Sequence, residues 1–190
     1  MFFFTCLNYI KRDFRNVPKS PLGGRKMKVV NKQRNSKMCA ICGMDNKYGV
    51  HAQFYNMEDR SVMTKFKYRE EHQSYPGRVH GGLITAMLDE MGLRALWAKD
   101  GNEENFGVTM SLDTKYRKPV PYETELIGKG ILIKENSKFF VVDSKILDLQ
   151  GNVLANGTIK YIKLDTNKIN ENIDAHEEMC YLIEDDVKEI

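Results

Sequence analysis

GRVHGGLITAMLDEMGLRALW, residues 77–97, decides how this chain is read. It opens on a His and two glycines and continues as an apolar run with Asp89 and Glu90 in its middle. Leu83, Ile84, Ala86, Met87, Leu88, Met91, Leu93, Ala95, Leu96 and Trp97 leave few polar positions, so the segment is read as a helix buried on nearly all sides. Asp100-Gly101 closes it as a C-cap. At 100° per residue Gly82, Thr85, Ala86, Asp89 and Leu93 share one face. The residues preceding Asp89 on that face are small and leave room beside its carboxylate. Glu90 lies off the stripe, four residues before Arg94, and reads as a helix-surface ion pair.

The flanks change period. Residues 48–57 and 61–68 read as a hairpin turning at Glu58-Asp59-Arg60, followed by a loop through Pro76-Gly77. After the helix, 106–120 alternates, with Val108, Met110, Leu112 and Tyr116 on one side and Thr109, Ser111, Asp113, Lys115 and Arg117 on the other. Three more strands follow, at 123–134, 138–149 and 152–163, joined by short turns. Short turns require antiparallel neighbours. The expected fold is α+β: one long central helix wrapped by a curved antiparallel sheet of about six strands. A second subunit or the flanking segments would cover the rest of the helix.

The net charge of +3 over 190 residues hides an asymmetry. Residues 1–38 hold ten basic residues against the single acidic Asp13, a net +9, and the remainder carries −6. Residues 165–190 are acidic. The simplest division is a basic, disordered extension at 1–38, a domain at 39–164, and an acidic tail or short helix at 165–190. The extension lacks a complete DNA-binding motif, so nucleic acid is not expected as a partner. A transit peptide and a natural start at Met27 are alternatives that the residues leave open. No apolar run reaches the roughly 20 residues of a membrane span, so no membrane partner is expected. Four cysteines do not make a secreted disulfide scaffold, and a reducing cytoplasm is the default.

The helix start carries chemistry. Its first N–H groups lack partners and bear partial positive charge. Gly81 and Gly82 have no Cβ to block a ligand oxygen, as a developing oxyanion requires. Asp89 stands two turns on. Acyl transfer to water fits this pairing, with amides polarising a carbonyl and Asp89 activating water or attacking directly.

VHGGLITAMLDE, with Asp nine residues after the His, resembles the signature of the hot-dog-fold acyl-CoA thioesterases of the phenylacetic-acid-pathway (PaaI-like) type. GVTMSLDTKYRKPVPYETELIGKG resembles the segment that follows the helix there, and the likeness covers about 39–164. It implies an acyl-CoA substrate, no cofactor, and a homodimer or homotetramer with sites between subunits. It implies Asp89 as general base or nucleophile, Gly81 as the polarising amide, His80 as the residue orienting the thioester, and Thr109 as an aid to the water. Gly82 and Glu90 lie beside them. Tyr116, Arg117 and Lys118 are the candidates for coenzyme A phosphates. Many members have an Asn six residues before the motif His. Here that place is Ser74, and His72 is the candidate for part of the Asn's work. The alternatives are a hot-dog dehydratase or hydratase, for which no Asp-His motif is present, and a non-catalytic acyl-CoA-binding regulator, for which no helix-turn-helix is evident.

Cys39-Ala-Ile-Cys42 has zinc-like spacing. No second such pair supplies the other two ligands, His51 falls in an expected strand, and His176 and Cys180 fall in the tail. The pair is read as two ordinary thiols, with no metal expected.

Overall fold

The computed structural model describes residues 26–103, 105–164 and 178–190. The chain runs β1 (Val29–Lys32), β2 (Phe54–Met57), β3 (Val62–Lys67), a 3-10 turn (Glu70–His72), β4 (Gln73–Tyr75), β5 (Arg78–Val79), α1 (Gly81–Asp100), β6 (Phe106–Tyr116), β7 (Glu125–Glu135), β8 (Phe139–Leu147) and β9 (Val153–Leu164). β4 and β5 form a small hairpin. The other strands make one antiparallel sheet in the order β1-β2-β3-β7-β8-β9-β6. The six expected strands are therefore present, with β1 added at the edge.

His80 caps α1, its Nδ1 accepting from Gly82 N–H. Gly101 ends it at φ 75°, returning its N–H to the Trp97 carbonyl, a left-handed turn that glycine adopts without Cβ strain. The helix touches β2, β3, β6, β7, β8 and β9. Six strands laid flat at about 4.8 Å spacing would span far more than one helix width, so the sheet curls. At its centre the approach is close: a Cβ on Gly128 would lie 2.5 Å from Met91 Sδ, and one on Gly130 2.8 Å from the Met91 carbonyl. Ile84, Met87, Leu88, Met91, Ala95 and Leu96 are buried against this floor. The burial is not complete around the helix, however. Thr85, Ala86, Asp89 and Leu93 are only half-buried and Gly82 is exposed, so the small-residue stripe is the uncovered face of this chain.

Two boundaries move. Residues 1–25 lie outside the described residues, but from Met27 the supposed extension is part of the domain. β1 pairs with β2. Fully buried Gln33 donates to Asn56 Oδ1 (2.6 Å) and the Arg94 carbonyl (2.9 Å), while Asn35 donates to the Cys42 and Ala52 carbonyls (2.7 and 2.9 Å). Polar residues spent on backbone groups leave no hydrophobic period, so charge alone misassigned them. Of the acidic tail, residues 165–177 lie outside the described residues, and Met179, Leu182 and Ile183 are not helical. Residues 181–190 run alongside 27–35, with bridges Lys28↔Glu189 and Asn35↔Tyr181. Met27 N–H and Ile190 N–H bond each other's carbonyls at 2.8 and 3.0 Å. Asp185 takes the Lys32 ammonium and the Tyr55 hydroxyl, and Lys26 meets Glu189 at 3.5 Å. The opposite charges at the two ends of the chain are partners. The strand expected over 48–57 is also shorter, since His51 sits at φ 57° and β2 begins only at Phe54.

Partial burial pushes the Asp185 carboxyl up, but Lys32, Tyr55 and the Val187 N–H outweigh it and hold the group below its ordinary value. A carboxylate depressed by folding stabilises above its unfolded range and stops doing so as pH falls through its folded value. The amides of Met27 and Val29, bonded to the tail carbonyls of Ile190 and Lys188, are therefore expected to open more often in acid. At neutral pH, Asp185→Asn should speed their hydrogen exchange, with a loss on the order of 1 kcal/mol. Exchange rates equal to the parent's would contradict this.

Candidate active site

β6 puts a hydroxyl beside Asp89 through a bulge. Its register with β9 shifts between Thr109 and Ser111, leaving Met110 as the extra residue. A bulge reverses the face on which later residues lie. The alternation expected from the sequence put Thr109 opposite Leu112 and Tyr116. The bulge brings them to the same side: Thr109 Oγ1 meets Asp89 Oδ1 at 2.8 Å and Oδ2 at 3.1 Å, Leu112 packs on the core, and Tyr116 reaches α1. Val108 and Met110 are left exposed on the edge strand.

A second hydroxyl was not foreseen. Tyr161, on β9 and buried, brings its OH to within 2.9 Å of Asp89 Oδ1 and 2.7 Å of the Asp89 carbonyl. Its ring stacks on Phe140 at 4.5 Å. Burial, then the charge of Asp89, push the phenol far up, so it stays a proton donor. The path exists because residue 92 is glycine, where a Cβ would lie 1.7 Å from the Tyr161 oxygen. That glycine was the available signal. Mid-helix Gly costs about 1 kcal/mol against Ala, which a close approach can justify.

At the helix start, Gly82 N–H is spent on His80 Nδ1 at 3.0 Å. Gly81 N–H has no partner among the described residues. Only one of the two expected glycine amides is therefore free. His80 is exposed and caps the helix. Tyr116 does not extend away with Arg117 and Lys118. Its hydroxyl lies 2.7 Å from Thr85 Oγ1 and 3.0 Å from the Gly81 carbonyl, over the start of the stripe. Arg117 Nε donates to Asn156 Oδ1 (3.0 Å), and Lys118 is exposed. Ser74 is exposed on β4. His72 is buried, its Nδ1 accepting from Arg69 N–H and its Nε2 meeting the Tyr48 carbonyl at 2.8 Å. Both ring nitrogens are used in the loop, so its ring offers no group for the work expected of it. Glu90 pairs with Arg94 at 2.8 Å as expected, but Arg94 is 1% exposed, so the pair is interior and not on the helix surface.

Residues 76–155 match the Thioesterase superfamily family model. One main helix on a large antiparallel sheet is consistent with the hot-dog fold, in agreement with that match. The chain is 31% identical over 126 residues to the acyl-coenzyme A thioesterase THEM4 of Rattus norvegicus, covering 62% of this chain and 50% of that protein. The corresponding protein of Mus musculus is 30% identical over 126 residues. The chain thus spans about half the length of the curated relatives it matches. Among solved structures, a hypothetical thioesterase with coenzyme A from Streptococcus pneumoniae has a TM-score of 0.54 at 20% identity, covering 60% of this chain and 86% of that one. A thioesterase from Haemophilus influenzae has a TM-score of 0.57 at 12% identity, covering 65% and 85%. These two likenesses concern the fold. No described helix is long and apolar enough to cross a membrane.

Gly92→Ala is expected to displace the Tyr161 ring and cost about 1–3 kcal/mol in urea unfolding. Tyr161→Phe should cost only about 1 kcal/mol. An alanine variant as stable as the parent would show that the ring does not cross the helix here.

Proposed function

We propose that this chain hydrolyses an acyl-CoA thioester to the free acid and coenzyme A. The observation that carries the reading is the half-buried Asp89 carboxylate, held by the Thr109 and Tyr161 hydroxyls on the same small-residue stripe that leads back to the free Gly81 amide. Acyl transfer to water needs these two devices. The Gly81 N–H takes the charge that develops on the thioester oxygen. Asp89 removes a proton from water or attacks the carbonyl itself. Tyr161 and Thr109 both hold Oδ1, while Oδ2 meets Thr109 alone, at 3.1 Å, and is the less engaged oxygen. His80, exposed at the helix start, is the residue to orient the thioester, and exposed Arg117 and Lys118 suit the coenzyme phosphates. The free thiols of Cys39, Cys42 and Cys180 fit a reducing compartment such as the cytoplasm.

Spacing argues for two copies. Gly81 and Asp89 are eight residues apart on one helix, about 12 Å of rise. A thioester carbon must lie within a few ångströms of both its oxyanion donor and its nucleophile. Two helices packed antiparallel across a two-fold axis would set the Gly81 of one copy against the Asp89 of the other. The edge strand β6, with exposed Val108 and Met110, and the half-covered face of α1 suit such an interface.

Asp89→Asn is expected to lower kcat/KM for acyl-CoA by on the order of 10²–10⁴-fold with circular dichroism unchanged. Undiminished coenzyme A release would overturn the assignment. Gly81→Pro removes the amide hydrogen and places ring carbons at the approach, at a first helical position where proline is well tolerated, and should be similarly inactive. Mixing the two inactive variants should restore activity, since a hybrid dimer holds one site with both groups intact. Lack of recovery, once subunit exchange is shown, would place both groups in one chain's site.

A further inference from the structure

The Glu90 carboxylate divides its oxygens. Oε1 takes the Arg94 guanidinium, and Oε2 lies 3.6 Å from Cys39 Sγ. The ligand atoms of Cys39, Cys42 and Glu90 all fall within 4.8 Å of one another. Glu90 is the ligand that sequence spacing did not reveal, because it lies 51 residues from Cys39 and was already assigned to Arg94.

The cluster is built. Cys39–Gly43 is a single closed turn, with Gly43 N–H on the Cys39 carbonyl at 2.8 Å. A Cβ on Gly43 would lie 2.4 Å from that carbonyl oxygen, so glycine is what lets the turn close. Asn35 fixes the next strand of backbone by donating to the Cys42 carbonyl. Cys42 is fully buried, and the Ser36 hydroxyl lies 3.2 Å from its sulfur. The guanidinium of Arg94 is buried with Nη2 lacking a hydrogen-bond partner, and its charge acts on Cys42. An orphaned cationic donor beside a thiol asks for a thiolate.

We propose that Cys39, Cys42 and Glu90 form a mononuclear site for a thiophilic divalent cation of the zinc class, with solvent as fourth ligand. Two thiolates and one carboxylate are a suitable donor set for such an ion. Charge balances on binding. Two neutral thiols, Glu90 and Arg94 sum to zero before, and the cation enters as two thiol protons leave, so the buried cluster stays neutral. Arg94 becomes the outer partner, bonding Glu90 Oε1 and facing the Cys42 thiolate. A disulfide would serve the cluster less well, leaving Glu90 Oε2 and Arg94 Nη2 with nothing to bind. The site clasps the 39–43 turn to α1 at the residue after Asp89. It does not depend on the thioesterase reading.

The whole chain, purified reduced and without a metal-binding tag, should carry about one zinc per molecule by elemental analysis. Stripped of metal and titrated with Co²⁺ under reductant, it should develop a thiolate-to-cobalt charge-transfer band and the intense visible absorption of a tetrahedral centre. Cys39→Ser and Cys42→Ser should each abolish the charge-transfer band's two-thiolate intensity. Glu90→Gln should weaken cobalt binding by roughly tenfold or more, and Cys180→Ser should leave it unchanged. Parent protein that is folded by circular dichroism yet shows neither stoichiometric zinc nor the cobalt band would overturn the site. So would a metal-free chain two hydrogens lighter from a Cys39–Cys42 disulfide.

Discussion

The close seating of α1 on the middle of the sheet governs the rest. Gly128 and Gly130 on β7 let Met91 sink against the strand, and Gly92 lets Tyr161 cross the helix from the far side of the curl. These contacts leave no space for a methylene, so helix position and rotation are set together. Rotation in turn decides that the stripe from Gly82 to Asp89 is the face left uncovered. A helix rolled by one residue would bury Asp89 and expose Leu88.

The same seating links the reaction centre to the fold's interior. Asp89 is held by a tyrosine that is itself part of the core, stacked on Phe140. Thr109 arrives from the adjoining edge strand β6 at its bulge. The carboxylate is thus fixed by two strands that are neighbours in the sheet but distant in sequence. One residue further on, Glu90 points to the other side, toward Arg94, Cys39 and the N-terminal segment. Adjacent carboxylates serve two separate networks because successive helical residues diverge by about 100°.

Charge at the chain ends has a related logic. A basic N-terminal segment and an acidic C-terminal one suggested independent tails, yet residues 27–35 and 181–190 lie side by side. Gln33 also bonds the Arg94 carbonyl and side chain, tying this strap to α1.

The sequence by itself determined the element order, the antiparallel pairing of the six main strands, the helix and its cap at Gly101, and the stripe that carries Asp89. These follow from periodicity, turn length and helical angle, which are local properties. Only the tertiary structure decided which hydroxyls reach Asp89, because a one-residue bulge at Met110 and a gap at Gly92 alter facing without altering pattern. It also decided that, of the two glycine amides, Gly81's is the one without a partner among the described residues, that His72 serves its loop, and that Glu90 meets Cys39. Each of these depends on atoms brought together from distant parts of the chain, and no local period records such a meeting.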